Sequence, residues 1–206
     1  MLAALSINEY LAKTASGDPL PGGGSSAALS AALGAALTEM VANLTIGRKG
    51  FEAVDADMRS AAQAAAALRA KLTLDIDRDS DAYTRVLAAF KLPKETESQK
   101  ADRAAAVQEA FKQAALVPLG VARDALAVME IGRAVIAKGN PNAASDAAAG
   151  VLAARMAVRA AAFNVRINLI SIRDEAFTAE LRREAARLDA EAESKEAELL
   201  ALINLT

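Results

Sequence analysis

Fifty-four of the 206 residues are alanine, and this constrains the fold more than any other feature, because alanine is the strongest helix former and has almost no side-chain volume. A chain built this way buries surface by bringing helices close together rather than by filling gaps with bulky groups. The apolar fraction is 53%, yet aromatic residues account for only 3%. Long segments repeat apolar residues every three or four positions and β-branched runs are short, so the chain is predicted to be all-α. Its length suits one domain over residues 1–206 with a sizeable core.

About six helices are predicted. Ser6 and Glu9 form a capping box for a short helix over about Ile7 to Ala15, followed by a loop to Gly24. The second helix is expected to start near Ser25, and from Ser26 to Gly47 its only charge is Glu39. Leu29, Leu33, Leu37, Met40 and Leu44 make one apolar stripe, beside a surface of small residues at Ala31, Gly34, Ala35, Thr38 and Ala42 that permits close backbone approach. A polar helix follows from about Phe51 to Phe90, ending before Leu92-Pro93. Thr96 or Ser98 caps a long helix to Ala137, with a kink expected at Pro118. Lys138 to Asn142 breaks the chain; a fifth helix covers about Ala144 to Ile172, and Asp174 caps a last one to about Ile203. The Ala/Gly-rich faces are expected to serve dimerisation.

The 24 basic and 26 acidic side chains leave a net charge of -2, which offers no broad attraction for a polyanion, so nucleic acid is not expected as a partner. No cysteine is present, which excludes disulfides and thiolate chemistry and is compatible with a reducing cytoplasm. No histidine is present either, leaving Asp, Glu, Lys and Tyr to move protons. The first residues lack the basic and long apolar regions of a secretory signal. Ser26 to Gly47 is long enough to cross a bilayer, but Glu39 would stand in hydrocarbon at a cost of about 2.5–3.5 kcal/mol, so a helix buried in protein is the expected reading.

Two loop-to-helix junctions are candidate ligand sites, because helix N-termini present free N–H groups to anions and polar ligands. The first, Pro21-Gly-Gly-Gly-Ser-Ser26, lacks the ending of a P-loop and follows no strand. The second, Gly139-Asn-Pro-Asn-Ala-Ala-Ser-Asp146, has Ser145 or Asn142 as potential cap and Asp146 in the first turn. Asp146 either complements the helix dipole or acts as the acid/base of a chain without histidine. It shares a wheel face with Gly150, Ala153, Ala157 and Asn164, predicted to be the buried one, while Arg155, Arg159 and Arg166 lie on another. Asn164 stands roughly 27 Å from Asp146 along the axis, too far for both to touch one reacting atom within a subunit. Glu39 and Asn43 are an i, i+4 pair, with Glu39 either desolvated or paired with an arginine. Arg48 and Lys49 complement the dipole at the helix end or meet a substrate carboxylate. The run Asp75, Asp77, Asp79, Asp81 imitates a calcium loop but lacks its glycine and glutamate, having Ala82 and Ala88 at those places. It is read as a solvated acidic surface, and no metal is expected.

Six strings in order resemble one family: Pro21-Gly-Gly-Gly-Ser25, Asn43-Leu-Thr-Ile-Gly-Arg-Lys49, Ala89-Phe-Lys-Leu-Pro-Lys94, Val117-Pro-Leu119, Gly139 to Asp146, and Asn164-Val-Arg-Ile-Asn168. Together they are similar to the cyclodeaminase/cyclohydrolase family, which includes stand-alone methenyltetrahydrofolate cyclohydrolases and the C-terminal half of formiminotransferase-cyclodeaminase. The chain departs from that pattern at Ala148, where glycine is expected, and at Glu39, where a small residue is expected.

The resemblance implies an all-helical, cytoplasmic homodimer that hydrolyses 5,10-methenyltetrahydrofolate to 10-formyltetrahydrofolate without metal or redox cofactor and without a membrane partner. It implies Asp146 as acid/base and Lys49 as its assistant, with Arg48 on a folate carboxylate. Gly22, Gly23, Gly24, Ser25, Asn43, Asn140, Asn142 and Ser145 would shape the pocket. The rival reaction is formiminotetrahydrofolate cyclodeamination with release of ammonia; the lack of a fused formiminotransferase half tilts the expectation towards the cyclohydrolase. A non-enzymatic helical adaptor is the alternative from a different class.

Overall fold

The computed structural model describes residues 1–203, and every regular element among them is helical. The α-helices are α1 (Ile7–Thr14), α2 (Gly23–Asn43), α3 (Asp55–Phe90), α4 (Glu97–Lys138), α5 (Ala144–Leu169) and α6 (Glu175–Ala201), with short 3₁₀ turns at Leu2–Ala4, Glu52–Val54 and Pro141–Ala143.

Local chemistry explains most boundaries. Ser6 and Glu9 form the predicted capping box, Thr96 forms another with Gln99, and Asp174 caps α6 through the N–H of Phe177. Helix α4 runs on through Pro118. Two starts differ from expectation. Helix α2 begins at Gly23, with Gly22 as N-cap, so Gly23 and Gly24 belong to the first turn and not to the preceding loop. Neither Ser145 nor Asn142 caps α5; the side chain of Asn140 instead accepts from the Asn142 N–H and caps the 3₁₀ turn before it.

Successive long helices alternate in direction. Glu39 of α2 pairs with Arg69 of α3, and Ser25 near the other end of α2 meets Asp79. Ser30 of α2 donates to the Ala153 carbonyl of α5, and Asn168 of α5 donates to the Ala114 carbonyl of α4. Helices α2 to α5 thus form an up-down-up-down bundle. Helix α6 lies against α4 and α5, tied by Arg123 to Glu184 through two 2.7 Å hydrogen bonds and by Arg155 to Asp189 at 2.7 Å. Arg155 is therefore not on a solvent face: its guanidinium is buried between the two helices, 7% exposed.

The face of α2 that enters the core is the one made of small residues. Ala27, Ala28, Ala31, Ala35 and Ala42 are buried, as are Gly34 and Thr38. The reason is contact between backbones: a Cβ on Gly34 would stand 2.9 Å from the Gly150 carbonyl oxygen, and one on Gly150 would stand 3.2 Å from the Leu37 Cβ. Larger residues there would hold α2 and α5 apart and forfeit the dispersion contacts of both. The leucine stripe, by contrast, is left outside, with Leu29, Leu33, Met40 and Leu44 exposed. The Ala/Gly-rich faces expected to serve dimerisation are, on α2 and α5, packed against each other within one protomer. Both segments long and apolar enough to cross a membrane, Gly23–Asn43 and Pro141–Leu169, lie in this α2–α5 pair.

Candidate active site

The first helix junction is a wall of a cavity of about 450 Å³ to which four helices contribute: Gly22 to Gly24 from the start of α2, Asp79 and Tyr83 from α3, Phe111 and Ala114 from α4, and Asn164 and Asn168 from α5. The bundle's alternation places these groups together, because the N-terminal end of α2 meets the C-terminal halves of α3 and α5 and the middle of α4.

Asp79 is the central carboxylate. Its Oδ2 accepts from Ser25 Oγ at 2.9 Å, and Ser25 Oγ lies 3.0 Å from Ser80 Oγ. Burial raises its pKa above the ordinary aspartate range, against the lowering effect of hydrogen bonds from the Ser25 hydroxyl and backbone N–H. A carboxyl group whose pKa is raised in this way beside a cavity is suited to taking and returning a proton.

The glycines of the junction are steric necessities. A Cβ at Gly24 would stand 2.0 Å from Asp79 Oδ1, and one at Gly23 would stand 2.9 Å from Asn164 Nδ2. Their lack of side chain lets a carboxylate and an amide press against the first turn of α2, where free N–H groups favour polar ligands.

The acidic run on α3 is not the solvated surface that its composition suggests. Helical spacing separates its members: Asp75 is buried between Lys71 and Arg78, Asp77 accepts the N–H groups of Leu2 and Ala3, Asp79 enters the cavity, and Asp81 alone is exposed. Asp79, Tyr83, Asn164 and Asn168 are therefore site residues that residue types alone did not single out. For the asparagines the signal was present in the i, i+4 spacing of Asn164 to Asn168, which puts both on one helix face; Asp79 differs from its neighbouring aspartates only in what packs on it.

The second junction lies at the opposite end of α2, about 30 Å away by helix rise. Gly139 is required there because a Cβ would come 2.3 Å from the Val135 carbonyl oxygen. The Asn140 N–H donates to Thr45 Oγ1 at 2.9 Å, which ties the break to the end of α2. Asn140 and Lys138 border a cavity of about 440 Å³ otherwise lined by apolar residues and Gly139. Asn142 and Ser145 are exposed and Asp146 is half-buried, so that the predicted buried face of α5 begins only beyond it. Asn43, Arg48 and Lys49 are exposed at the same end, the last two in a turn bounded by Gly47 and Gly50, both with positive φ. Glu39 is ion-paired with Arg69 at 2.7 Å, within the protomer. One chain thus brings Gly22, Gly23, Gly24 and Ser25 together with Asp79, and separately groups Asn43, Arg48, Lys49, Asn140, Asn142, Ser145 and Asp146. Among the described residues, no group of three or more acidic side chains is clustered to hold a metal ion.

The fold and site together are those of an all-helical bundle with a desolvated carboxylate packed under a glycine-lined helix start. Sequence comparison is more specific: residues 6–187 match the family model for formiminotransferase-cyclodeaminase, and the chain belongs to that family. It is 44% identical to methenyltetrahydrofolate cyclohydrolase of Methylorubrum extorquens, over 90% of this chain and 89% of that one. It is 39% identical to formimidoyltransferase-cyclodeaminase of Sus scrofa over 94% of its own length, which is 36% of that larger protein. The crystal structure of formiminotetrahydrofolate cyclodeaminase from Thermotoga maritima superposes with a TM-score of 0.87 at 30% identity, covering 98% of both chains.

Proposed function

We propose that this protein is a methenyltetrahydrofolate cyclohydrolase that converts 5,10-methenyltetrahydrofolate and water to 10-formyltetrahydrofolate. The observation that carries this reading is the Asp79 carboxylate, held by Ser25 against the glycine-rich start of α2 in a cavity of about 450 Å³. It stands in a chain 44% identical to a cyclohydrolase over nearly the full length of both.

The bridge carbon of the substrate is part of a cationic amidinium and is already electrophilic, so the enzyme has to position water, remove a proton and direct collapse of the adduct. In this reading Asp79 takes a proton from water as the C–O bond forms at the bridge carbon, giving a neutral tetrahedral carbinolamine. The bond from that carbon to N5 then breaks with the proton passed from Asp79 to N5, and the adduct's hydroxyl proton leaves as the formyl C=O forms on N10.

The residues at the far end of α2 enter the same reading through a second copy of the chain. Leu29, Leu33, Met40 and Leu44 on α2 and Leu152, Met156, Phe163 and Ile167 on α5 are exposed side by side, an apolar surface that a lone protomer rarely leaves open. A homodimer with its twofold axis perpendicular to α2 covers both stripes and carries the Arg48–Lys49 and Asp146 end of one copy towards the Asp79 cavity of the other. There Arg48 would bind a folate carboxylate and Lys49 would assist proton transfer, with Asp146 as the second candidate acid/base. Asn43, Asn140, Asn142 and Ser145 would form the far wall. A cytoplasmic location accompanies this reading.

Incubating the purified protein with 5,10-methenyltetrahydrofolate and following loss of the amidine's near-ultraviolet absorption tests the proposal; no loss above the spontaneous rate rejects it. The likeness to the Thermotoga maritima cyclodeaminase supports a second reading, cyclodeamination of the formimino substrate, which ammonia release identifies. An adaptor without catalysis predicts neither signal.

A further inference from the structure

Asn164 and Asn168 stand one turn apart on α5 and both line the Asp79 cavity. An amide side chain offers two N–H donors on one side and a carbonyl acceptor on the other, and here the donor sides are committed to the backbone. Asn164 Nδ2 donates to the Ala160 carbonyl at 2.8 Å, while Asn168 Nδ2 donates to the carbonyls of Ala114 at 3.0 Å and Asn164 at 2.9 Å. These partners determine which end of each amide is nitrogen. Asn168 therefore offers its Oδ1 alone and Asn164 its Oδ1 beside one remaining N–H, and among the described residues neither oxygen accepts a hydrogen bond. Gly23 keeps this arrangement open, because a Cβ there would come 2.9 Å from Asn164 Nδ2 and 3.4 Å from its Oδ1.

A wall with two fixed acceptors, neither free to swap ends without breaking a backbone hydrogen bond, selects a ligand edge with two adjacent donors. The 2-amino-4-oxopyrimidine ring of a reduced folate has such an edge in its exocyclic amino group and N3–H. We infer that Asn164 and Asn168 form the subsite that reads this donor edge and so select the pyrimidinone end of the substrate. The inference rests on the folate reading given above. A ligand lacking one donor leaves a desolvated acceptor unpaired in the complex, which costs more than the mere loss of a contact.

The test is calorimetric binding of tetrahydrofolate and of its 2-desamino analogue to the wild-type protein and to Asn164→Ala, Asn168→Ala and Gly23→Ala. The wild type is expected to bind the parent about tenfold more tightly than the analogue, as one hydrogen bond dictates. The asparagine variant that loses the acceptor of the amino group should lower this preference to about twofold or less. The other, which reads N3–H, should weaken both compounds alike, and Gly23→Ala should weaken binding of the parent by displacing Asn164. In turnover, the asparagine variants should raise KM more than they lower kcat, which a loss of fold would not do. Asn164→Ala leaves the tie between Asn168 and Ala114 intact and so reports even if Asn168→Ala fails to fold. Retention of the wild-type preference in both asparagine variants, or no preference in the wild type, overturns the subsite; failure of the wild type to bind either compound overturns the folate reading with it.

Discussion

The carboxylate of Asp79 on α3 occupies the space that a side chain at position 24 on α2 would fill, with Oδ1 2.0 Å from where a Cβ of Gly24 would be. The close approach of α2 and α3 at this end therefore depends on glycine, and the same approach removes Asp79 from water. A packing requirement and a pKa shift thus have one origin. The Pro21-Gly-Gly-Gly-Ser25 string is accordingly less a flexible hinge than a recess for two polar side chains.

Gly24→Ala is expected to lower kcat/KM by about 10–100-fold, since an added methyl group pushes the carboxylate away from its position and displacements near 1 Å carry that cost. Gly17→Ala is the matched control, because a Cβ at Gly17 meets nothing within 4 Å; its activity should equal that of the wild type.

Asp79→Asn should fold normally and lose about 10²–10⁴ in kcat, the usual contribution of a general acid/base. Measured beside Asp146→Asn and Lys49→Ala, it identifies the group that moves the proton. A fully active Asp79→Asn variant removes Asp79 from the mechanism.

Stability should fall as pH rises through the Asp79 titration. The folded-state pKa is raised by burial, so the folded protein holds this proton at pH values where the unfolded chain, with an aspartate pKa of about 4, has released it. The stabilising contribution is complete below the unfolded value and is lost as pH climbs through the raised one. Thermal melts of Asp79→Asn against wild type should show the variant gaining on the wild type above that window and losing the gain at pH 4. The rate of the wild type should rise through the same window as the carboxylate ionises.

Gly34→Ala should cost about 1–3 kcal/mol, because its Cβ would meet the Gly150 carbonyl oxygen at 2.9 Å and force α2 away from α5. For a chain of this size the melting temperature should fall by about 2–12 °C.

Leu33→Glu places a charge in the exposed stripe of α2, where Leu33 is 55% exposed. It should yield a monomer in sedimentation with undiminished helix content and with activity reduced at least tenfold, since the proposed site draws on both copies. A dimeric, active variant would rule out this face as the contact.

Much of the architecture was legible before any coordinates, for reasons that act locally. Helix type follows from alanine and apolar spacing, and Ser6, Thr96 and Asp174 cap helices because each has a short polar side chain able to reach the N–H groups of the first turn. The breaks at Pro93 and Pro141 follow equally from the neighbouring backbone. What these local signals could not rank is which of two apolar faces on α2 turns inward. Hydrophobicity favours the leucines, but the α2–α5 distance set by Gly34 and Gly150 favours the alanines, and that distance exists only once both helices are in place.

The candidate site divides in the same way. Residue order alone marks both junctions as helix starts with unusual sequences and shows that a chain without histidine must use another group for proton transfer. It offers no means of choosing Asp79 over Asp75, Asp77 or Asp81, because four aspartates at alternate positions are alike until α2 descends on one of them. Burial by a helix more than 50 residues away in the chain raises the pKa of Asp79, while Asp75 acquires Lys71 and Arg78 and Asp81 remains in water. Desolvation is a property of the assembled neighbourhood and has no local trace in the chain, so helix type was readable residue by residue while the identity of the candidate carboxylate awaited the packing.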